Sequence, residues 1–311
     1  LTNQDWVPCP YTFILGENIT LNVPALFYYA GGAQINGTVV AGAYYQRYAN
    51  SKLTINEPGS MKVTTETFIV RYMDADPNAG IYIIGDNNDE TIGLEASVIY
   101  FYQGMINAKN ADIKVGTYWQ TNESDNHQGS ANLVLDNSNM TVTVNEHNMK
   151  ATANSTVTLT NGSNVTVAGG YQGVGVSIDA TSSMTMAKSI FVSKINNYHY
   201  TSLQEALNAA QDGETIKLIA DEIFTEDNRT NSSGTWYEGV YYVGDKNFTI
   251  DLNNYKVTQN GAVNDYMFLF KNDGGKDNTI TFKNGTIDAG INAYCAICTS
   301  TTSTQKITIN T

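Results

Sequence analysis

Apolar and polar residues alternate at period two through Leu133-Val134-Leu135-Asp136-Asn137-Ser138-Asn139-Met140-Thr141-Val142. The same pattern returns in Val157-Thr158-Leu159-Thr160-Asn161-Gly162-Ser163-Asn164-Val165-Thr166-Val167. In both copies an Asn stands two places after the second apolar residue, and alternation resumes after a small polar turn. Period two puts the apolar side chains on one strand face, and Asn tolerates the left-handed backbone of a tight bend, so the unit predicted is strand, bend, strand. Leu53-Thr54-Ile55-Asn56-Glu57-Pro58-Gly59-Ser60-Met61-Lys62-Val63 repeats it with Glu57-Pro58-Gly59 as the bend. Further strands are expected at Phe68–Val70, Ile81–Ile84, Val98–Tyr102, Ile113–Val115, Val174–Ile178 and Met184–Met186.

The bends at Asn137 and Asn161 lie 24 positions apart and those at Asn254 and Asn284 lie 30 apart, intervals that suit a solenoid rather than a sandwich hairpin. Strands recurring at that interval stack in parallel, so the expected fold is all-β, a right-handed parallel β-helix. Residues 1 to about 49, Tyr-rich and interrupted by Pro10 and Pro24, are expected to form irregular rungs or a cap. One α-helix interrupts the strand pattern at about 202–212. Leu203, Ala206, Leu207 and Ala210 follow helical spacing, Ser202 with Glu205 makes a capping box, and Gly213 supplies the stop. Its apolar face is expected to shield an exposed rung, so the chain divides into an N-terminal module, 1–196, and a second module, 197–311, that starts with this cap helix. Rungs of the second module are expected at Phe248–Val257 and Thr279–Ile287.

The segment from Tyr200 through the helix to Leu218 resembles the opening of right-handed β-helix modules in large surface proteins of gut-dwelling Gram-positive bacteria. The likeness covers about the last third of the chain. The N-terminal part resembles pectate-lyase-like and adhesin solenoids in its rung pattern. The resemblance implies an extracellular, secreted or wall-attached protein engaging a host glycoprotein, immunoglobulin or glycan, and some proteins of this kind bind antibodies outside the antigen site as superantigens. Solenoid enzymes of similar architecture are polysaccharide lyases and glycoside hydrolases. The hydrolase pattern of clustered aspartates, Gly-His-Gly and Arg-x-Lys is missing here. A calcium-dependent lyase stays open as an alternative, as does a passive stalk.

Composition fits this picture. The 311 residues are 41% hydrophobic and 15% charged, with formal net charge −13 and a pI near 4.5. That is too apolar for a disordered acidic chain, and with arginine only at 47, 71 and 229 it offers no basic cluster to track phosphates, which argues against nucleic acid. No apolar run reaches the roughly 20 residues of a membrane span. No leader precedes Leu1 and the strand signature at Lys306–Thr311 lacks its returning strand, so the parent protein is expected to begin after a leader and to continue past Thr311.

Cys9, Cys295 and Cys298 are odd in number. Cys295-Ala296-Ile297-Cys298 reads as a redox or half-metal motif, or as unpaired buried thiols. The last is preferred, because an extended strand holds the two sulfurs too far apart to bond.

Tyrosine is in excess, with 20 residues. Grouped aromatic residues cannot all point inward on alternating strands, and exposed rings give rigid contact area with a polar tip. The candidate binding residues are therefore Tyr28, Tyr29, Tyr44, Tyr45, Tyr48, Trp236, Tyr237, Tyr241 and Tyr242, with ring ladders that merely stabilise the coil as the alternative. Asp74, Asp76 and Asn78 begin like a calcium loop beside Arg71, but the Gly comes one place late and no Glu closes the loop, so a solvated turn is the preferred reading. Asn-x-Ser/Thr triplets at 18, 36, 122, 139, 154, 164, 228, 247 and 284 are attributed to turn chemistry rather than to glycan attachment.

Overall fold

The computed structural model describes residues 11–28, 31–46, 51–69, 79–86, 92–120, 130–144, 147–152, 154–225, 238–260, 265–273, 275–291, 293–301 and 307–310. The chain is nearly all β and separates into two compact units, 1–190 and 191–311. The second begins ahead of the expected Asn197, because Ser193–Ile195 pairs antiparallel with both Tyr198–Tyr200 and Glu214–Leu218.

In the first unit the chain lays strands alternately into two long parallel sheets. One takes Thr12–Leu15, Gly32–Ile35, Lys52–Asn56, Gly80–Ile84, Gly104–Lys109, Ala131–Asp136, Thr156–Thr160 and Val176–Ile178. The other takes Thr20–Tyr28, Thr38–Gln46, Ser60–Ile69, Ile92–Phe101, Asp112–Gln120, Asn139–Val142, Asn164–Val167 and Ser183–Met186. His147–Ala151 pairs with the far end of Asp112–Gln120 and with Gly170–Gly173.

The sequence repeat becomes a register. Leu133 lies beside Val157, Leu135 beside Leu159, Met140 beside Val165 and Val142 beside Val167, all at most 1% exposed. Like side chains stack on like, and each contributes roughly 1.5–3 kcal/mol through burial. Between the two strands of each copy, Asn137 (φ 48°) and Asn161 (φ 57°) turn the chain left-handed, as expected. Their side chains continue the stack: Asn137 Nδ2 donates to Asn110 Oδ1 at 2.9 Å and Asn161 Nδ2 to Asp136 Oδ1 at 2.6 Å. Beneath them runs a serine ladder, in which Ser138, Ser163 and Ser182 Oγ accept from the backbone N–H of Ala111, Ser138 and Ser163, each at 3.1 Å. Asn139 and Asn164, two of the Asn-x-Thr positions, hydrogen-bond along the same stack.

The opening of the chain departs from expectation. Its described residues are not irregular: Thr12–Leu15 and Thr20–Tyr28 pair in parallel with Gly32–Ile35 and Thr38–Gln46. Its alternation is masked by one inserted residue, seen as a register shift between Val23 and Leu26 beside Gly42. Gly42 is needed there, since a Cβ would lie 2.2 Å from Pro24 O.

In the second unit three parallel stacks share one interior. They are Glu214–Leu218, Phe248–Asp251, Asn278–Lys283 and Ile307–Asn310; Glu222–Phe224, Lys256–Gln259 and Thr286–Asp288; and Glu238–Val243, Asp265–Asn272 and Ala293–Thr301. Phe224, Phe248, Phe268, Phe270 and Phe282 fill the core, with ring centroids 5.2–6.1 Å apart. The helix spans Leu203–Ala209, shorter than expected, because Ala210 already has an extended ψ of 137°. Ser202 Oγ caps it by accepting from Glu205 N at 3.1 Å, and Leu203, Ala206, Leu207 and Ala210 are at most 1% exposed. Gln204 stands in for a neighbouring strand: its Nε2 donates to Tyr241 O at 2.9 Å and its Oε1 accepts from Tyr241 N at 2.7 Å. The helix thus covers an edge of Glu238–Val243 that would otherwise expose pairing groups.

Cys295 and Cys298 form a disulfide, which overturns the expectation of unpaired thiols. A straight strand would separate the two Cα atoms by about 10 Å. Here they are 6.0 Å apart, within bonding range, so the backbone is locally contracted; its register also shifts between Ala293 and Cys295.

Candidate functional site

Five long strands of the first unit, Thr20–Tyr28 through Asp112–Gln120, carry their outward side chains in rows across the sheet. Lys62 is in register with Glu95, and Glu95 with Lys114. Glu95 forms ion pairs with both ammonium groups, its Oε2 3.1 Å from Lys62 Nζ and its Oε1 3.8 Å from Lys114 Nζ, while all three side chains remain a third to a half exposed. The apolar neighbours of each, Met61 and Val63, Leu94 and Ala96, Ile113 and Val115, are buried, so alternation holds the charged row outside.

Immediately beyond this row the sheet bends. Ser60–Ile69 holds extra residues at Thr64–Glu66 relative to both neighbours, seen as register shifts between Val63 and Thr67 and between Ala41 and Ala43. Such bulges bend a strand and leave its ladder incomplete. Hydroxyl groups fill the gaps: Thr64 Oγ1 donates to Ala41 O at 3.4 Å, Thr65 Oγ1 to Gly42 O at 2.5 Å, Ser97 Oγ to Thr64 O at 2.6 Å and Thr143 Oγ1 to Val115 O at 3.3 Å. Gly116 sits where a Cβ would come 2.3 Å from Ser97 O, so no side chain fits. The result is an open groove of about 430 Å³, with Lys62, Glu95 and Lys114 along one wall, Thr64, Ser97 and Thr143 along the bend, and exposed Val144 beside Gly116.

Past the bend Tyr45, Tyr100 and Trp119 are partly exposed, with Tyr100 and Trp119 in register and edge to face at 5.5 Å. Tyr45 Oη donates to Glu66 Oε1 at 2.6 Å.

The candidate tyrosines fall into separate groups. Tyr44 and Tyr242 point inward, at 3% and 7% exposure, and offer no face to a partner. Tyr44 stacks on Phe27 with its hydroxyl on Gln46, and Tyr242 meets Phe248 edge-on while its Oη accepts from Lys246 N. The reason is the alternation itself, since in each adjacent Tyr pair one ring must turn in. Tyr45 and Tyr241 are the outward members, both partly exposed, and Lys271 Nζ lies 5.1 Å above the Tyr241 ring. Tyr29, Tyr48, Trp236 and Tyr237 lie outside the described residues, as does the side chain of Tyr28. The same is true of the calcium candidates Asp74, Asp76 and Asn78, and of Arg71. Among the described residues no three His, Cys, Asp or Glu side chains converge to hold a metal, and no helix is long and apolar enough to cross a membrane.

The Lys62, Glu95, Lys114 row was absent from the sequence reading, although a signal for it exists. Met61-Lys62-Val63, Leu94-Glu95-Ala96 and Ile113-Lys114-Val115 are three apolar–charged–apolar triplets on successive strands. A search against protein-family models, against curated proteins and against solved structures finds no match to this chain.

Proposed function

We propose that this chain is a non-catalytic recognition segment of an extracellular bacterial protein, a right-handed parallel β-helix whose first unit grips a host glycoprotein through the groove beside Lys62, Glu95 and Lys114. The observation that carries this reading is the groove's construction. Its polar side chains stand on or next to strands of a packed sheet, and Glu95 lies within ion-pair distance of both lysines, so the backbone beneath the site needs little ordering on binding. The two alternating sheets and their like-on-like register support the β-helix. The disulfide supports an oxidising compartment, where such bonds persist.

The test is capture from mucus and serum by the immobilised chain, followed by identification of what is retained. The expected result is a retained glycoprotein that the K62A/K114A double variant releases. Retention of immunoglobulin alone, unaffected by that variant, would move recognition to another surface. Nothing retained would favour a passive stalk.

A further inference from the structure

We infer that the ligand of this groove is a linear glycan carrying one carboxylate or sulfate per disaccharide, lying across the strands; the inference rests on the recognition reading above. Three features of the wall and bend converge on that chemistry.

The first is the polarity of the hydroxyl row. Thr64, Ser97 and Thr143 each commit their single proton to a backbone carbonyl. A hydroxyl group has one donor and two acceptor lone pairs, so what these residues present to the groove is acceptor capacity alone. The ligand must therefore donate, as sugar hydroxyl and amide groups do and as a phosphodiester backbone does not.

The second is the pattern of charge. Lys62 and Lys114 flank Glu95, so the wall reads plus, minus, plus, with one net positive charge on a chain whose net charge is −13. A uniformly anionic polymer would meet Glu95 as a repulsive element and a neutral one would leave both lysines unused. A chain with its anionic groups spaced apart places one at each lysine and a hydroxyl or amide N–H at the intervening Glu95.

The third is spacing. Lys62 and Lys114 stand two strands apart, about 10 Å at the usual distance between neighbouring strands. That is close to the length of one disaccharide in an extended chain. Thr64 and Ser97 stand on the strands of Lys62 and Glu95, and Thr143 follows Asn139–Val142, the strand next to that of Lys114, so acceptors line the groove along the same direction as the charges. Gly116, which can carry no side chain, keeps the bend open along this line.

The experiment uses the full chain and calorimetric titration with octasaccharides of hyaluronan, of keratan sulfate with one sulfate per disaccharide, and of chitin. These supply carboxylate alone, sulfate alone, and no anion. Binding of either acidic probe at least tenfold tighter than the chitin probe is expected, and the ranking of the two identifies the anionic group the lysines take. Lys62→Gln and Lys114→Gln are each expected to weaken acidic-probe binding by roughly five- to twentyfold, the range for one partly exposed charged hydrogen bond. Ser97→Ala should weaken it by a smaller factor, and Lys109→Gln on the other sheet should leave it unchanged. Circular dichroism of every variant checks folding. Equal affinity for chitin, full affinity in both lysine variants, or no binding of any probe would each overturn the inference. Should a host glycoprotein be captured and be released by K62A/K114A while neither acidic probe binds better than chitin, the recognition reading stands and this glycan assignment falls.

Discussion

Glu222 is a carboxyl group only 4% exposed whose Oε2 accepts a 3.0 Å hydrogen bond from Leu203 N, at the start of the helix. Burial pushes its pKa up from 4.5 to about 7; the Leu203 N–H opposes that shift and the nearby Glu205 adds to it. The folded state therefore holds a proton that the unfolded chain releases near 4.5. The stability this confers is complete below about pH 4.5 and is lost progressively as pH rises toward 7. That pKa displacement corresponds to roughly 3 kcal/mol in all, most of which disappears between pH 5 and pH 8. Glu222→Gln retains a carbonyl oxygen for Leu203 and has nothing to titrate. Urea denaturation at pH 5, 6, 7 and 8, followed by far-ultraviolet circular dichroism, compares the two proteins. The variant is expected to gain on the wild type by roughly 2–3 kcal/mol across that range in the transition of residues 191–311. A difference between them that does not change with pH would refute the argument.

Asp179 behaves in the opposite sense. Hydrogen bonds from Asn161 N, Ser182 N and Thr181 hold its pKa well below the usual carboxylate range, so the stability it lends is complete above about pH 3.8 and fades as pH falls below that. The drop in urea midpoint from pH 6 to pH 2.5 should shrink in Asp179→Asn. At Asn161, substitution by Ala is expected to cost about 1–2 kcal/mol through its left-handed backbone, and Asn161→Gly should recover most of the backbone share; equilibrium denaturation reads both. Gly116→Ala forces a Cβ against Ser97 O and should lower stability by about 1–3 kcal/mol in the same assay. Intact-mass measurement should show the Cys295–Cys298 bond, and its reduction should cost at most about 2 kcal/mol, because so short a loop loses little entropy on closure.

Where side chains alternate plainly, the fold could be read before it was seen. The Leu133–Val142 and Val157–Val167 pairing, the Asn bends and the apolar face of the helix all follow from period and propensity. Two kinds of feature escaped. A bulge breaks the period by one residue, and that concealed the regular strands before Gln46 and the bend at Thr64–Glu66 on which the groove depends. Local contraction is equally invisible to a pattern, which is why an extended-strand argument failed for Cys295 and Cys298. For the site, aromatic excess pointed to tyrosines of which Tyr44 and Tyr242 are core residues, whereas the groove was encoded in three modest charged positions. Composition counts residues, while register decides which of them meet.

Since Asp136 pairs with Thr160 and Asn137 and Asn161 do the same task, joining Asp136 directly to Asn161 would omit one complete pass and leave every remaining pair matched. Chain length is therefore divisible into whole passes that selection can duplicate or discard without inventing a new interior. Any function written across the strands inherits that divisibility. On the outer face, each added pass would lengthen the sheet by one strand spacing, so the extent of that face becomes a heritable count of copies rather than a property of any single residue.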